Sequence, residues 1–490
     1  MINFQGSQMK RTRSIGQDLR LAPLVIASLA CAACGGGGSP GSGGGSGGGT
    51  ATAPQFTSAA TASVTENTTG TFYTAAAQDP QNDPVTFTLY SGADAGQFVL
   101  DGTGLRFNAA PNYDLPTDAN GDNVYEVVLR ASAGGEATDL ALKVRVTNDR
   151  EGVIVTRVAT GLVDPVGMAF QPVTSKLLIA ESGGRVVAFD PESGSKIEDI
   201  FIRDHRKPGE LLGISWGFRD QVFQEGVYLV AHDPAEGLFV EAFNADRGFT
   251  GHARLGSPWT APTTVSMLGS LSMYIAVGDS SGNLAQDASS AYGKLFELPT
   301  VDPYAGASVP SPIVIRPAII GDGIQKPGGI SPAYGNLYLA DQGSSVAHEI
   351  TAFNPKARPL DFGWPFYEGA KSIRTNPPAA VNGPSIVYPV GTGRKEGTGV
   401  IAGIINDYNS FPALGSVYVF ADTNGTIWTI QNAKITDGIL HGANELEDRT
   451  EDFAPDAGKI DAPVAIIQGG RGDRFFILDV DGEIFMVTGN

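Results

Sequence analysis

The stretch GNLYLADQG, residues 335–343, runs from an apolar segment into a turn of Asp, Gln and Gly, and the chain keeps writing variants of it. KLLIAESGGRVVAFD begins at Lys176, VYLVAHD at Val227, MYIAVGDSSG at Met273, VYVFADTNGTIWTI at Val417 and FFILDVDGEIFMVTG at Phe475. The six copies recur at irregular intervals of about 45 to 80 residues, each an apolar strand, a turn and often a second strand. A strand pair that cannot hide both faces alone must stack on copies of itself. Four-stranded blades around a common axis achieve this and leave few free edges. With about 57 residues available per copy, residues 152–490 predict one six-bladed β-propeller.

Upstream, alternation in VTFTLY (85–90) and in DLALKVRV, where Leu140, Leu142, Val144 and Val146 share a face, predicts a small β-sandwich over residues 54–150. Its motifs resemble a cadherin-like repeat. SVTENTTG carries Glu66 and Asn67, AAAQDP carries Ala77 and Asp79, NYDLP carries Asp114, and VRVTND ends on Asp149. The resemblance implies a Ca²⁺ site of oxygen ligands from Glu66, Asp114 and Asp149 at one end of the sandwich. It departs from the family at Ala133, where an aspartate ligand is usual, and no second repeat follows. The other reading of these acids is solvated turn residues. DANGDN (118–123) lacks the later glycine and glutamate of an EF-hand loop and reads as a polar turn. The fold class expected is all-β, a cadherin-like, Ig-like sandwich followed by the propeller.

The N-terminus reads as an address. Lys10, Arg11, Arg13 and Arg20 precede the apolar run LAPLVIASLACAAC, which is too short to span a bilayer as a helix. Residues 1–33 resemble a bacterial lipoprotein signal peptide, with Cys34 as the lipidated residue and Cys31 as the alternative. The Gly/Ser-rich segment 34–53 is a flexible tether, with no strand and helix around it to make a dinucleotide loop. These features predict a cell-envelope protein held to the membrane, the outer one by preference, through its lipid alone. A net charge of −19 without a basic stripe argues against nucleic-acid binding.

The propeller's phrases resemble the soluble glucose/sorbosone dehydrogenase family. They are GLVDPVGMAF (161–170), GELLGISW (209–216), YIAVGDSSGNLAQDASSAYGKLFEL (274–298), KPGGISPAYGNLYLADQG (326–343) and DFGWPFYEG (361–369). The family uses pyrroloquinoline quinone (PQQ) and Ca²⁺, with a histidine that takes the proton of the sugar's anomeric hydroxyl. Thr260 stands where that histidine is expected, and threonine is no such base. His252, eight residues earlier, is the remaining candidate for a catalytic base, or else a loop histidine. The family's cofactor-binding phrase Arg-Asn-Pro-Gln-Gly becomes Gln325, Lys326, Pro327, Gly328 and Gly329. Lys326 is either a partial substitute for the lost arginine or a solvated lysine.

ADQGSSVAHEI places Asp341, Gln342 and Glu349 where related propellers carry acids, and the resemblance makes Asp341 and Glu349 candidate Ca²⁺ ligands. Trp364, Tyr367 and Glu368 follow; Trp364 reads as a packing residue or as part of a sugar-stacking rim. GISWG (213–217) fits a nucleophile-elbow pattern yet falls inside a propeller strand, and RGD (471–473) reads as a blade turn. The histidines lack zinc-site spacing. Two functions follow. One is a lipid-anchored binding or adhesion protein with a carbohydrate or protein ligand at the cell surface and a catalytically degenerate propeller. The alternative is a PQQ-dependent aldose dehydrogenase.

Overall fold

The computed structural model describes residues 51–490 apart from 173, 193–197, 203–209, 218–225, 234–236, 245–248, 256–263, 270–271, 300–312, 315–316, 334, 407–413, 471 and 490. The signal segment, the tether up to residue 50, Cys31, Cys34, Thr260, His205 and Arg471 of the RGD turn lie outside the described residues. The chain divides into Met1–Ala51 and Thr52–Asn490. Among the described residues no helix is long and apolar enough to cross a membrane.

The second unit opens with the sandwich. One sheet orders Thr61–Thr65, Glu136–Thr147, Val124–Ala133 and Thr86–Ser91; the facing sheet orders Tyr73–Thr74, Gly104–Phe107 and Phe98–Asp101. Alternation fixes which side is inward. Leu142, Val144 and Val146 are buried while Ala141, Lys143 and Arg145 are exposed, and the inward row meets Leu105, Phe107 and Tyr125.

Six sheets follow, and every copy of the repeated phrase is the second strand of one of them: Lys176–Glu181, Gly226–Asp233, Ser272–Val277, Asn336–Asp341, Val417–Asp422 and Arg474–Asp479. These strands are buried along almost their whole length because neighbouring blades cover both faces. That is why they read as continuous apolar runs instead of alternating ones. The innermost strands are Pro165–Gln171, Glu210–Gly217, Val265–Gly269, Pro327–Ala333, Val400–Asn406 and Pro463–Gln468, each packed on the next around a closed ring. Ser215 of GISWG sits inside one of them, on no elbow. Closure is made by the first propeller strand, Val153–Ala159, which pairs antiparallel with the last, Ile484–Gly489. Each end of the propeller sequence thereby removes the other's free edge.

The acid that ends the phrase has a structural task. Asp341 accepts from the backbone N–H of Gln325 (2.8 Å) and Lys326 (2.5 Å), the two residues that lead into the innermost strand of the same blade. Asp422 does the same for Thr398 and Gly399, Asp479 for Asp461 and Ala462, and Glu181 for Val163. All four are buried. In the third blade Asp279 instead caps its own following loop through Ser281, Leu284 and Ala285. A carboxylate suits this position because its two oxygens accept from successive N–H groups that the turn leaves without strand partners.

Candidate functional site

The innermost strands enclose an axial cavity of about 560 Å³. Its wall is mainly apolar, with Val166, Met168, Ile214, Met267, Ile330 and Ile401 among its residues. Polar side chains enter chiefly where the strands begin, as Thr264, Lys326, Gln342 and Thr423. Among the described residues, Lys326 is the one charged residue lining it and no histidine does so. Gln342 donates to Val400 O (3.1 Å), while its buried amide oxygen has no hydrogen-bond partner.

The glycines of KPGG are required by packing. A Cβ on Gly328 would lie 1.7 Å from Val400 O, and one on Gly329, at φ +147°, would lie 2.5 Å from Ala402 Cβ. Pro327, Gly328 and Gly329 therefore form the seam between the innermost strands of the fourth and fifth blades, at the cavity wall. His252 stands elsewhere. It lies on Phe249–Arg254, the fourth strand of the second blade counted from the axis, with its backbone opposite Glu241 and Val314. Its backbone thus runs three strands out from the innermost strand that lines the axial cavity.

Beside the cavity, Asp341, Glu349, Glu368 and Gln325 surround a void of about 10 Å³, room for a single water or ion. Glu368 is saturated: Oε1 accepts from the N–H groups of Ser344, Ser345 and Val346, and Oε2 from the Ser345 hydroxyl (3.1 Å). Glu349 has only the N–H of Gly369, so burial, then Asp341 and Glu368, push its carboxyl well above the usual range. Burial likewise raises Asp341, to about 7, against the pull of its backbone donors. Trp364 is buried and donates Nε1–H to Asp279 O (2.7 Å), a packing role.

At the sandwich–propeller junction, Glu66 and Asp114 are buried and Asp149 is exposed. Glu66 accepts from the N–H of Tyr113 and of Asp149, while Asp149 caps Glu151 N. The centre is occupied by a propeller side chain absent from the sequence reading, Arg449. Its guanidinium lies 3.0 Å from Asp114, 3.1 Å from Asp452 and 2.9 Å from Glu447, and it pairs with Glu151. Nothing marks Arg449 in the sequence, because it follows a short outer strand that repeats no phrase. Among the described residues, the one group of three or more acids whose ligand oxygens converge within 4.8 Å of one another is Asp461, Asp479 and Asp481. Neither the junction acids nor the Asp341–Glu349 pair belongs to that group.

No family model matches the chain, and no curated protein was found to be similar to it. Among solved structures it is similar to the soluble aldose sugar dehydrogenase of Escherichia coli in its apo form (16% identity, TM-score 0.48), over 69% of this chain and 100% of that one. A glucose dehydrogenase gives 17% and 0.48, over 69% and 99%. The holo PQQ domain of pyranose dehydrogenase from Coprinopsis cinerea gives 14% and 0.46, over 69% and 95%.

Proposed function

We propose that this chain is a lipid-anchored binding protein of the cell envelope whose propeller holds a partner and performs no sugar oxidation. The lining of the axial cavity carries this reading. PQQ bears three carboxylates, and burying them needs matched cations, preferably arginines. Among the described residues the cavity offers Lys326 alone and no imidazole to act as base. The quinone does not fit this lining, so no catalytic step is derived through it. An apolar wall with one cation and an orphaned amide oxygen at its mouth suits an apolar side chain of a protein partner better than a polyhydroxylated sugar ring, whose hydroxyls would lose water without replacement. Incubated with PQQ, Ca²⁺, an aldose panel and a dye acceptor, the protein is expected to show neither turnover nor quinone absorbance after desalting. Turnover that His252→Ala abolishes would overturn the binding reading. The anchor is tested separately. Cys34→Ala should move the chain from the membrane fraction to the soluble fraction, and unchanged membrane association would remove Cys34 as the lipid site.

Calcium belongs to this proposal as structural support at Asp341 and Glu349, where carboxylate and amide oxygens suit a hard cation. At Glu66, Asp114 and Asp149 an ion would have to compete with Arg449. The sign of the pH effect at the first site is fixed by raised folded-state values. Unfolded Asp and Glu ionise near pH 4, so the stability held by protonated Asp341 and Glu349 is complete below about pH 4. It declines as pH rises, through about 7 for Asp341. Ca²⁺ should therefore raise Tm more at pH 8 than at pH 5. Glu349→Gln should raise Tm at pH 8 without Ca²⁺ and lose most of the Ca²⁺ response. An equal Ca²⁺ shift in the variant would place the ion elsewhere.

A further inference from the structure

Apart from the axial cavity, the fourth and fifth blades frame a second, wider cavity of about 960 Å³. Its walls come from the start of Ala347–Phe353, the hairpin of Tyr367–Glu368 and Lys371–Ser372, the outer strand Ile386–Pro389, the loop at 393–396 and the turn at 442–445. Val387, Pro389 and Ala443 give it apolar surface.

The charges on this wall are unequal in availability. Glu368 is saturated by the 344–346 loop, as described above. Glu396 accepts from Gly393 N (2.9 Å), and Glu445 is paired with Lys434 (2.9 Å) and His441 (3.0 Å). Those partners hold the Glu445 carboxyl down at about 2. Lys395 is also committed: Nζ donates to Leu446 O (2.7 Å) and lies 5.2 Å from the Trp428 ring centre. Two cations remain, Lys371 and Arg394. Both are exposed, and among the described residues neither side chain makes a hydrogen bond or ion pair. Arg394 is nevertheless placed, because a Cβ on Gly121 would lie 2.6 Å from one of its terminal nitrogens. The guanidinium thus lies against the turn of the sandwich, at the side of the cavity. In a chain with 52 acidic and 33 basic residues, a concave wall on which Lys371, Arg394 and Lys395 balance Glu368, Glu396 and Glu445 is less negative than the rest of the surface.

We propose that this cavity binds a small organic anion of sugar size. Its carboxylate or phosphate would meet Arg394 and Lys371, and its less polar face would rest on Val387, Pro389 and Ala443. Arginine's fork matches either acid bidentately, and lysine adds a point charge. The inference goes beyond the axial reading and shares no side chain with it.

Calorimetric titration of the full chain at low ionic strength with D-glucuronate, glucose 6-phosphate and glucose tests the proposal. At least one of the two anions should bind, the stronger identifying the acid group, while neutral glucose gives no heat. Lys371→Ala/Arg394→Ala should weaken binding by about tenfold or more, the scale of one charge-assisted hydrogen bond. Lys371→Arg/Arg394→Lys should retain most of it, and added salt should weaken it. Because both side chains are exposed, thermal midpoints should stay within a degree or two of the parent. No heat with either anion, or equal affinity in the double alanine variant, would overturn the proposal.

Discussion

Arg449→Met is expected to cost about 3–5 kcal/mol in urea unfolding, the range for removing one partner from a buried ion cluster. Arg449 is 4% exposed, and Asp114 and Asp452 are 1% and 0% exposed, so no water can take over the lost charge. The Asp114 carboxyl has no hydrogen bond to fall back on. Its two oxygens make no hydrogen bond, although Arg449 stands 3.0 Å away, so the attraction is coulombic without good donor geometry. Burial has already pushed the Asp114 carboxyl up to about 9 against that attraction. Without Arg449 the buried acids must stay protonated or remain charged and unpaired. The effect reaches beyond one side chain, because the same region ties the two domains. Arg150 donates to Asp452 O (2.8 Å) and Ala454 O (2.7 Å), Asn112 to Glu447 (3.1 Å), and Asp448 N to Asp114 O (3.0 Å). Arg449→Met/Asp114→Asn should recover part of the loss by removing a carboxyl that must bind a proton to stay buried. A change below about 1 kcal/mol in the single variant would mean that the guanidinium is no more than a surface pair.

The sequence made the ring legible for a physical reason. Each second strand is covered on both faces, so six blades had to write six apolar runs, and GNLYLADQG is one of them. Sandwich strands faced one core and wrote alternation instead, as Leu142, Val144 and Val146 show. Pairing between distant segments left no such trace. Val153–Ala159 looks like any short strand until Ile484–Gly489 is placed beside it. The site was less legible. Glu66 and Asp114 stood out as acids, but their neighbour Arg449 lies more than three hundred residues away in sequence and follows no motif. Asp341 stood out for the same reason that Asp422 and Asp479 did not: a family resemblance drew attention to one member of a repeated set. Read as a set, the acids closing the phrases signal a shared backbone task. Lys371 and Arg394 gave no sequence signal, since availability is decided by which neighbouring acids are already engaged.

That shared task can be measured where it is most enclosed. Asp422→Ala should destabilise the propeller by about 4 kcal/mol, because several buried donors lose their acceptor together. Asp422 is 0% exposed and accepts from Thr398 N (2.9 Å), Gly399 N (3.2 Å), Asn424 N (3.0 Å), the Thr398 hydroxyl (3.1 Å) and the Tyr388 hydroxyl (2.9 Å). Water cannot simply replace it, since Tyr388 is 1% exposed and packs in a core with Phe420 and Trp428. Asp422→Asn keeps the shape and one acceptor but turns a donor toward groups that themselves donate, so about half of the loss should persist. Adding Tyr388→Phe to the alanine variant removes one stranded donor and should return about 1 kcal/mol. The consequence travels inward along the chain. Thr398 and Gly399 lead directly into Val400–Asn406, and Ile401, Ala402 and Thr423 line the axial cavity. A latch that sets where this strand begins also sets the cavity wall. Partner binding at the axis should therefore weaken in Asp422→Asn even under conditions where the variant remains folded. If Asp422→Ala unfolds within about 1 kcal/mol of the parent, the repeated carboxylate is not what holds the innermost strands in register.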